Sequence, residues 1–473
     1  MDQFAHRRAQ LAETIGDGVA IIPAGREATR NDDVHYEFRQ DSNFYFLTGF
    51  TEPDAVAVLN PSHPTEPYTL FVRPRDREME IWNGYRAGTE GAVRTFGADR
   101  AHPINDLSDR LKDHLIGTET VFYRIGGPLD ATVLSMIQEL APLAARYGKT
   151  IPTRIVDPSP ALAELRLRKS DAELEHLRRA CDVSVLGHQA AMRFTTPGAH
   201  EYQVQSAMES VFRQEGSPRN GYPSIVASGP NATILHYTEN SRQIQDGDLV
   251  LIDAAAEYGY FSSDITRTFP ANGTFTAAQR AVYEVVLAAQ RASIARAAVG
   301  TTHRDLHETA KRVLTEGLID LGMLPNGIED SLSMHHYREY FMHGTGHWLG
   351  MDVHDAGSVQ VGDDSRVLEV GMSFTVEPGI YIDPDRETVD FALVEYDLDA
   401  RYERRYRMGR DAALKLEAEE NKDARSIAHE IPAEFRGIGI RIEDDIAMTP
   451  TGAVNLTGAL AVDPDDVEAL CQS

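Results

Sequence analysis

Hydrophobic and polar positions alternate in short runs over the first 160 residues. GVAIIPA, NFYFLTGF, DAVAVL, YTLFVRP and TVFYRI read as β-strands, separated by polar turns and by helical stretches near 105–116 and 130–147. The pattern predicts an α/β amino-terminal domain over 1–160. From Asp157 to Lys169 the chain passes through DPSPALAELRLRK, whose two prolines suit a connector, and Ser170-Asp-Ala-Glu173 then has the spacing of a capping box. A second domain is therefore expected over 161–473. In it, helices near 171–193 and 201–215 precede strands near 223–228, 248–257 and 260–269. A second capping box, Thr276 to Gln279, opens another round, with helices near 277–298 and 303–321 before strands near 372–382 and 437–449. The repeated order suggests an internal duplication, with coincidence of element order as the alternative. Residues 385–430 break the pattern: 22 of these 46 residues are charged, and 411–429 has helix-forming composition, so an inserted, solvated segment is expected.

Length and composition narrow the function classes. A chain of 473 residues can bury a full core, and with 42% apolar and 25% charged residues it is neither disordered nor a membrane protein, since no apolar run nears the ~18 residues of a span. MDQFAHRRAQLAETIGDG carries basic residues without an apolar stretch after them, which places the chain in the cytoplasm. Two cysteines, Cys181 and Cys471, cannot build a disulfide framework or a thiolate metal site, so any metal is left to His, Asp and Glu. A net charge of -27 argues against nucleic acid as a partner.

Candidate chemistry begins at Asp248-Leu-Val-Leu-Ile-Asp253, a buried-strand pattern ending in a carboxylate, with Asp264 coming next in SSDITRTF. A two-residue turn at Tyr258-Gly259 pairs residues whose numbers sum to 517, which sets Asp253 directly opposite Asp264. Like charges so placed are destabilising unless a cation lies between them. The alternative is a longer or bulged turn with Asp264 facing solvent. In MSFTVEPGIY, Glu377 lies on the polar face before Pro378, and in GIGIRIEDD the isoleucines 438, 440 and 442 leave Arg441 and Glu443 on the other face. Either glutamate alone reads as an ordinary solvated strand residue. HGTGHWLGMDVHD brings His343, His347 and His354 together, and its glycines favour a loop over a zinc-binding helix; His335 and His336 lack this setting and read as structural or exposed. Four carboxylates and one imidazole balance two divalent ions. Hard donors with a single nitrogen favour Mn2+, with Co2+, Fe2+ or Zn2+ as further options, and a two-metal site can hold a bridging hydroxide as nucleophile.

At these residues the sequence resembles the pita-bread metallopeptidases, and within them the bacterial aminopeptidase P branch. YEFRQDSNFYFLTGFTEPDAVAVL, EIWNGYRAG, ILHYTEN, DGDLVLIDA, SDITRTFP, HGTGHWLGMDVHD, TVEPGIY and GIRIEDD carry the resemblance across nearly the whole chain. It implies an α/β amino-terminal domain and then an α+β pita-bread catalytic domain with an internal pseudo-two-fold duplication. It further implies that Asp253, Asp264, His347, Glu377 and Glu443 bind two metal ions, that Glu377 also handles the proton of the attacking water, and that His236 lies near the substrate amino terminus. His354 would stabilise the developing oxyanion, His343 and Arg441 would support the site or touch substrate, and Trp82 and Tyr381 would contact substrate. Trp82 would do so in a neighbouring subunit of a homodimer or homotetramer. The implied substrates are peptides with proline in second position, with no nucleic-acid or membrane partner. A prolidase confined to dipeptides and a metal-free binding module of the same fold are the competing expectations. One departure stands out: 65 positions separate Glu377 from Glu443, where the family has a short connection. The added segment could overhang the cleft, limit peptide length, add a subunit contact, or remain a solvated excursion.

Overall fold

The computed structural model describes residues 3–473, which form two compact units, one ending at Arg166 and one running from Leu167 to Ser473. The first unit is built on a six-stranded mixed sheet in the spatial order Arg100–Pro103, Tyr68–Val72, Val56–Leu59, Val19–Pro23, Thr120–Phe122, Arg154–Val156. Val56–Leu59 runs antiparallel to both neighbours and the other pairs are parallel. The central strands VAVL and YTLFV are buried along their whole length, as expected of strands covered on both faces. Val19, Val58 and Phe71 meet Leu111 and Leu115 of helix Leu107–Leu115 and Val133 and Leu140 of helix Asp130–Tyr147 in one core.

One strand expected here is a helix. NFYFLTGF folds as the helix Ser42–Thr48, because Asp41 caps it by accepting from the Phe44 N–H and Gly49 ends it in the left-handed conformation at φ 66°. The cap and the glycine stop outweigh the alternating aromatics.

In the second unit both capping boxes form, at Ser170/Glu173 and Thr276/Gln279. Helices Asp171–Phe194 and Glu201–Gln214 precede the antiparallel sheet Ile225–Ser228, Leu249–Asp253, Thr266–Pro270. Helices Ala277–Arg296 and His303–Asp320 precede the sheet Ser373–Val376, Asp444–Thr449, Gly452–Asn455. The helix-helix-sheet order thus occurs twice. A bridge between Thr266 and Glu443 joins the two halves, and the fully buried Arg267 reinforces it through bonds to the Glu443 carbonyl and the Asp444 carboxylate.

Every long strand expected to carry a ligand is broken at the ligand. The segment 248–257 forms Leu249–Asp253 and Ala256–Tyr258, and 260–269 forms Phe261–Ser262 and Thr266–Pro270. Likewise 372–382 forms Ser373–Val376 and Gly379–Tyr381, and 437–449 forms Gly439–Arg441 and Asp444–Thr449. Pro378, which has no N–H for a ladder, marks the break after Glu377.

The first hairpin differs from expectation by one residue at its turn. Tyr258 pairs with Phe261 and Asp253 with Thr266, so partner numbers sum to 519 and the turn is Gly259-Tyr260. Both turn residues have positive φ, 58° and 70°, as a type I′ turn requires. Moving the turn by one residue shifts every pair by two, so Asp264 stays on the face of Asp253 but sits diagonal to it. In the second hairpin Val376 pairs with Asp444 and Gly379 with Arg441, a constant sum of 820 that puts Glu377 directly opposite Glu443.

The segment 385–430 is more ordered than its charge suggests. Thr388–Ala392 and Ser426–Glu430 pair as antiparallel strands, and Val389 and Phe391 enter the core. Between them stand helices Leu398–Met408 and Arg410–Glu420, clasped by Arg404 on Glu420 at 2.6 Å and Arg405 on Glu417 at 2.8 Å. The helix-forming stretch 411–429 is helical only as far as Glu420 and 426–430 is strand, while a further helix precedes Gly409. His335 and His336 hold the root, their Nε2 atoms bonding to the Tyr396 and Ala392 carbonyls at 3.0 and 2.9 Å.

Candidate metal centre

The four broken strands deliver Asp253, Asp264, Glu377 and Glu443 to one cavity of about 320 Å³, which His236, His343, His347, His354 and Arg441 also line. Asp264, His347 and Glu443 each offer a ligand atom, all within 4.8 Å of one another. His347 Nε2 lies 3.3 Å from Asp264 Oδ2 and 3.7 Å from Glu377 Oε1. Tyr222 donates its hydroxyl toward both aspartates, at 2.6 Å from Asp253 and 2.5 Å from Asp264. Arg441 Nη2 bonds to Asp253 at 2.5 Å, and the Thr266 hydroxyl donates to Glu443 at 2.6 Å.

The histidine loop is set by backbone contacts. A Cβ on Gly346 would come within 2.0 Å of the Thr375 carbonyl oxygen, so only glycine lets the loop lie this close to the strand. His347 N–H then bonds to Thr375 Oγ1 and its carbonyl accepts from Thr375 N–H. Its Nδ1 bonds to the Trp348 carbonyl at 3.0 Å, which leaves Nε2 to face the carboxylates.

Electrostatics show why these groups suit cations. Burial and the neighbouring carboxylates push Glu443 well above the usual carboxyl range and raise Asp253, which Arg441 partly offsets. Burial lifts Glu377 to about 7 against the pull of His347 and Arg441. Burial disfavours charge on His347, yet the bond to Asp264 and the charges of Asp264 and Glu377 outweigh it and raise the imidazole to about 9. Four like charges cannot share this volume without protons or cations to neutralise them. The donor set, four carboxylates and one imidazole, fits hard divalent ions, and the residues present fit a pair of them.

The other expected residues take distinct places. Burial and the Arg441 charge lower His343 to about 3; its Nε2 meets the Tyr381 hydroxyl at 2.9 Å, and that hydroxyl accepts from Arg441 at 3.0 Å. His354 packs edge-on against His347 with ring centroids 4.2 Å apart, and burial and His347 lower its pKa. His236 stands exposed at the cavity edge. Trp82 lies in the other unit, on helix Arg77–Asn83, with 79% of its surface exposed.

Two participants carry no signal that sequence reasoning could use. Tyr222 sits in a loop without periodicity. Asp445 belongs to a run of three carboxylates, each with its own partner: Glu443 faces the cavity, Asp444 turns to Arg267 and Gln290, and Asp445 accepts from the Asp264 N–H, the Ser263 hydroxyl and the Cys181 thiol. The alternation of the strand itself separates 444 from 443 and 445.

Residues 175–450 match metallopeptidase family M24, and residues 4–123 match the aminopeptidase P N-terminal domain. The Xaa-Pro aminopeptidase of Escherichia coli strain K12 is 39% identical over 472 residues, covering 99% of this chain and 97% of that protein. Human Xaa-Pro aminopeptidase 3 is 32% identical over 485 residues, 99% of this chain and 85% of its own. Among solved structures, the aminopeptidase PepP of Pseudomonas aeruginosa superimposes with a TM-score of 0.87 at 40% identity, over 99% of this chain and 97% of that one. With that similarity running the full length of both units and the buried acidic centre in place, the chain belongs to metallopeptidase family M24.

Proposed function

We propose that this protein is an Xaa-Pro aminopeptidase that removes the first residue of peptides with proline in second position, using two divalent ions held by Asp253, Asp264, His347, Glu377 and Glu443. The observation that carries the reading is the convergence of those five side chains on one cavity, the four carboxylates from strand breaks and His347 from its loop. Full-length similarity to proteins named Xaa-Pro aminopeptidase supports the substrate class. A solved E. coli aminopeptidase P in zinc-substituted form, in complex with product, supports a metal in the corresponding fold, and the donor set favours Mn2+ over softer ions.

When bound, the ions supply Lewis acidity to the scissile carbonyl and make a water nucleophilic near neutral pH. Glu377 takes the proton of the attacking water and passes it to the leaving nitrogen. His354, kept neutral by its surroundings, donates an N–H to the carbonyl oxygen as charge develops there. His236, at the cavity edge, contacts the substrate near its amino terminus. Arg441 holds Asp253 and, through Tyr381, fixes His343 beside the position after the scissile bond. A proline nitrogen in a peptide bond has no hydrogen to donate, so the pocket that receives it needs an apolar wall and no acceptor.

The reading extends to assembly. Ile81, Trp82 and Tyr85 expose 77%, 79% and 90% of their surfaces close together in sequence, which suits a homodimer or homotetramer in which Trp82 borders a neighbouring active site. Two free cysteines suit the reducing cytoplasm.

The test is hydrolysis of Arg-Pro-Pro and of an Xaa-Pro dipeptide by chelator-stripped enzyme, with and without manganese. Manganese-dependent release of the first residue from the tripeptide is the expected result. Cleavage of the dipeptide alone would turn the assignment to a prolidase, and inactivity without bound metal would sink the hydrolase reading.

A further inference from the structure

A second cavity, of about 610 Å³, adjoins the metal centre, and His343, Gly344 and Gly346 border both. An aminopeptidase places only one residue before the scissile bond. Residues on the carboxyl side of the proline need space beyond the reacting groups, and the cavity across His343 offers it. Part of its wall comes from the 385–430 segment: Tyr396, Asp397, Leu398, Asp399 and Tyr402 line it together with His343 and Lys311. Tyr396 is locked in place, its ring 4.5 Å from that of His335 and stacked beneath Arg401 at 3.3 Å.

The cations of this cavity differ in one respect. Arg304 is paired with Asp399 at 3.1 Å, and Lys311 with Glu308. Arg338 has no carboxylate partner among the described residues; its Nη2 donates to the Tyr402 hydroxyl at 2.7 Å and to the Met342 carbonyl at 3.2 Å, and the Tyr337 hydroxyl is a further neutral partner. A half-buried guanidinium held by neutral oxygens in this cavity keeps its charge uncompensated and suits a carboxylate.

Building on the proposed function, we infer that the cavity walled by Tyr396 and Tyr402 receives the residues after the proline, and that Arg338 recognises a carboxylate there. The carboxylate is either the peptide's own terminus, which would favour short peptides, or an acidic side chain. In either case Arg338 reads the carboxylate, and the excursion between the two glutamate ligands contributes Tyr396 and Tyr402 to the wall around it.

The experiment compares kcat/KM for Arg-Pro-Leu, Arg-Pro-Leu-amide and Arg-Pro-Glu-amide on the manganese-loaded enzyme and on Arg338→Gln and Tyr402→Phe. The wild type is expected to prefer a carboxylate-bearing peptide over the neutral amide, through KM, and Arg338→Gln to reduce that preference about 10- to 100-fold. Tyr402→Phe, which keeps the bond to Met342, should reduce it by a smaller factor; it carries the test if the arginine variant fails to fold. Preference for Arg-Pro-Leu marks a terminal carboxylate, and for Arg-Pro-Glu-amide a side chain. A wild-type enzyme indifferent to the carboxylate, or a preference that survives in both variants, overturns the inference and leaves the proposed function intact. Failure of the wild type on all three peptides would instead overturn the proposed function.

Discussion

Glu377 and Glu443 stand directly opposite each other across two broken strands, with Asp253 and Asp264 diagonal to each other in the neighbouring hairpin. Opposed like charges cost stability when no cation is present. Replacing Glu443 by Gln removes one charge and keeps an acceptor for Thr266. The metal-free variant should therefore melt several degrees above the metal-free wild type and lose its manganese-dependent stabilisation and its metal content. Differential scanning calorimetry with and without chelator, together with elemental analysis, measures both. A variant that is less stable without metal would contradict the electrostatic account.

Arg441 is the buried cation that tempers this cluster. Its substitution by Met leaves Asp253 buried with less compensation and frees the Tyr381 hydroxyl. Breaking a buried pair in this way costs about 3–5 kcal/mol. The loss should be largest in the metal-free protein and shrink when manganese is saturating, as denaturant titrations in the two states would read. An equal loss in both states would mean that Arg441 acts through packing alone.

The pH dependence of the metal-free protein has a definite sign. Glu377 is raised to about 7 from 4.5, and His347 to about 9 from 6.5, so the folded protein holds both protons more tightly than the unfolded chain does. Their contribution is complete below the unfolded values. It is lost as pH rises, through Glu377 up to about 7 and through His347 up to about 9. The melting temperature in chelator should fall from pH 5 to pH 9, and manganese binding at pH 7 should release protons. Calorimetric titration in buffers of different ionisation enthalpy would detect the release; its absence would place both groups already deprotonated.

Gly346→Ala tests the histidine loop. The added methyl would strike the Thr375 backbone, and because Thr375 fixes His347 through two hydrogen bonds, the imidazole must move. Displaced support around a ligand typically lowers metal affinity about 10- to 100-fold. Equilibrium dialysis against manganese should show that drop with the circular dichroism spectrum unchanged.

Several of these relationships are legible in the sequence. Asp253 closes a continuous apolar run, and the isoleucines at 438, 440 and 442 fix the face that Arg441 and Glu443 occupy. The turn lies one residue beyond its expected place because nothing in its composition shows that Tyr260 adopts a positive φ. Parity preserves the conclusion, since a shift of two returns the same face. The segment Ser42–Thr48 reads as a strand although the signals of a helix are present, Asp41 as cap and Gly49 as stop. Apart from the one that Pro378 marks, the strand breaks at the ligands are invisible in the sequence, and the Thr266–Glu443 bridge between the two halves lies at two of them. Tyr222 is invisible in the sequence too, since its role rests on tertiary position alone.

The pairing of Ala392 with Ser426 has a consequence for how such a protein can change. The chain departs and returns at adjacent points, so residues 393–425 form a cassette whose ends are already closed. Closure entropy grows only with the logarithm of length, about 0.6 kcal/mol for each doubling, so the cassette can lengthen, shorten or be exchanged at small cost. Hydrolysis and the cassette's share in the choice of peptide would then be inherited separately, the one in residues that cannot move and the other in a graft that can.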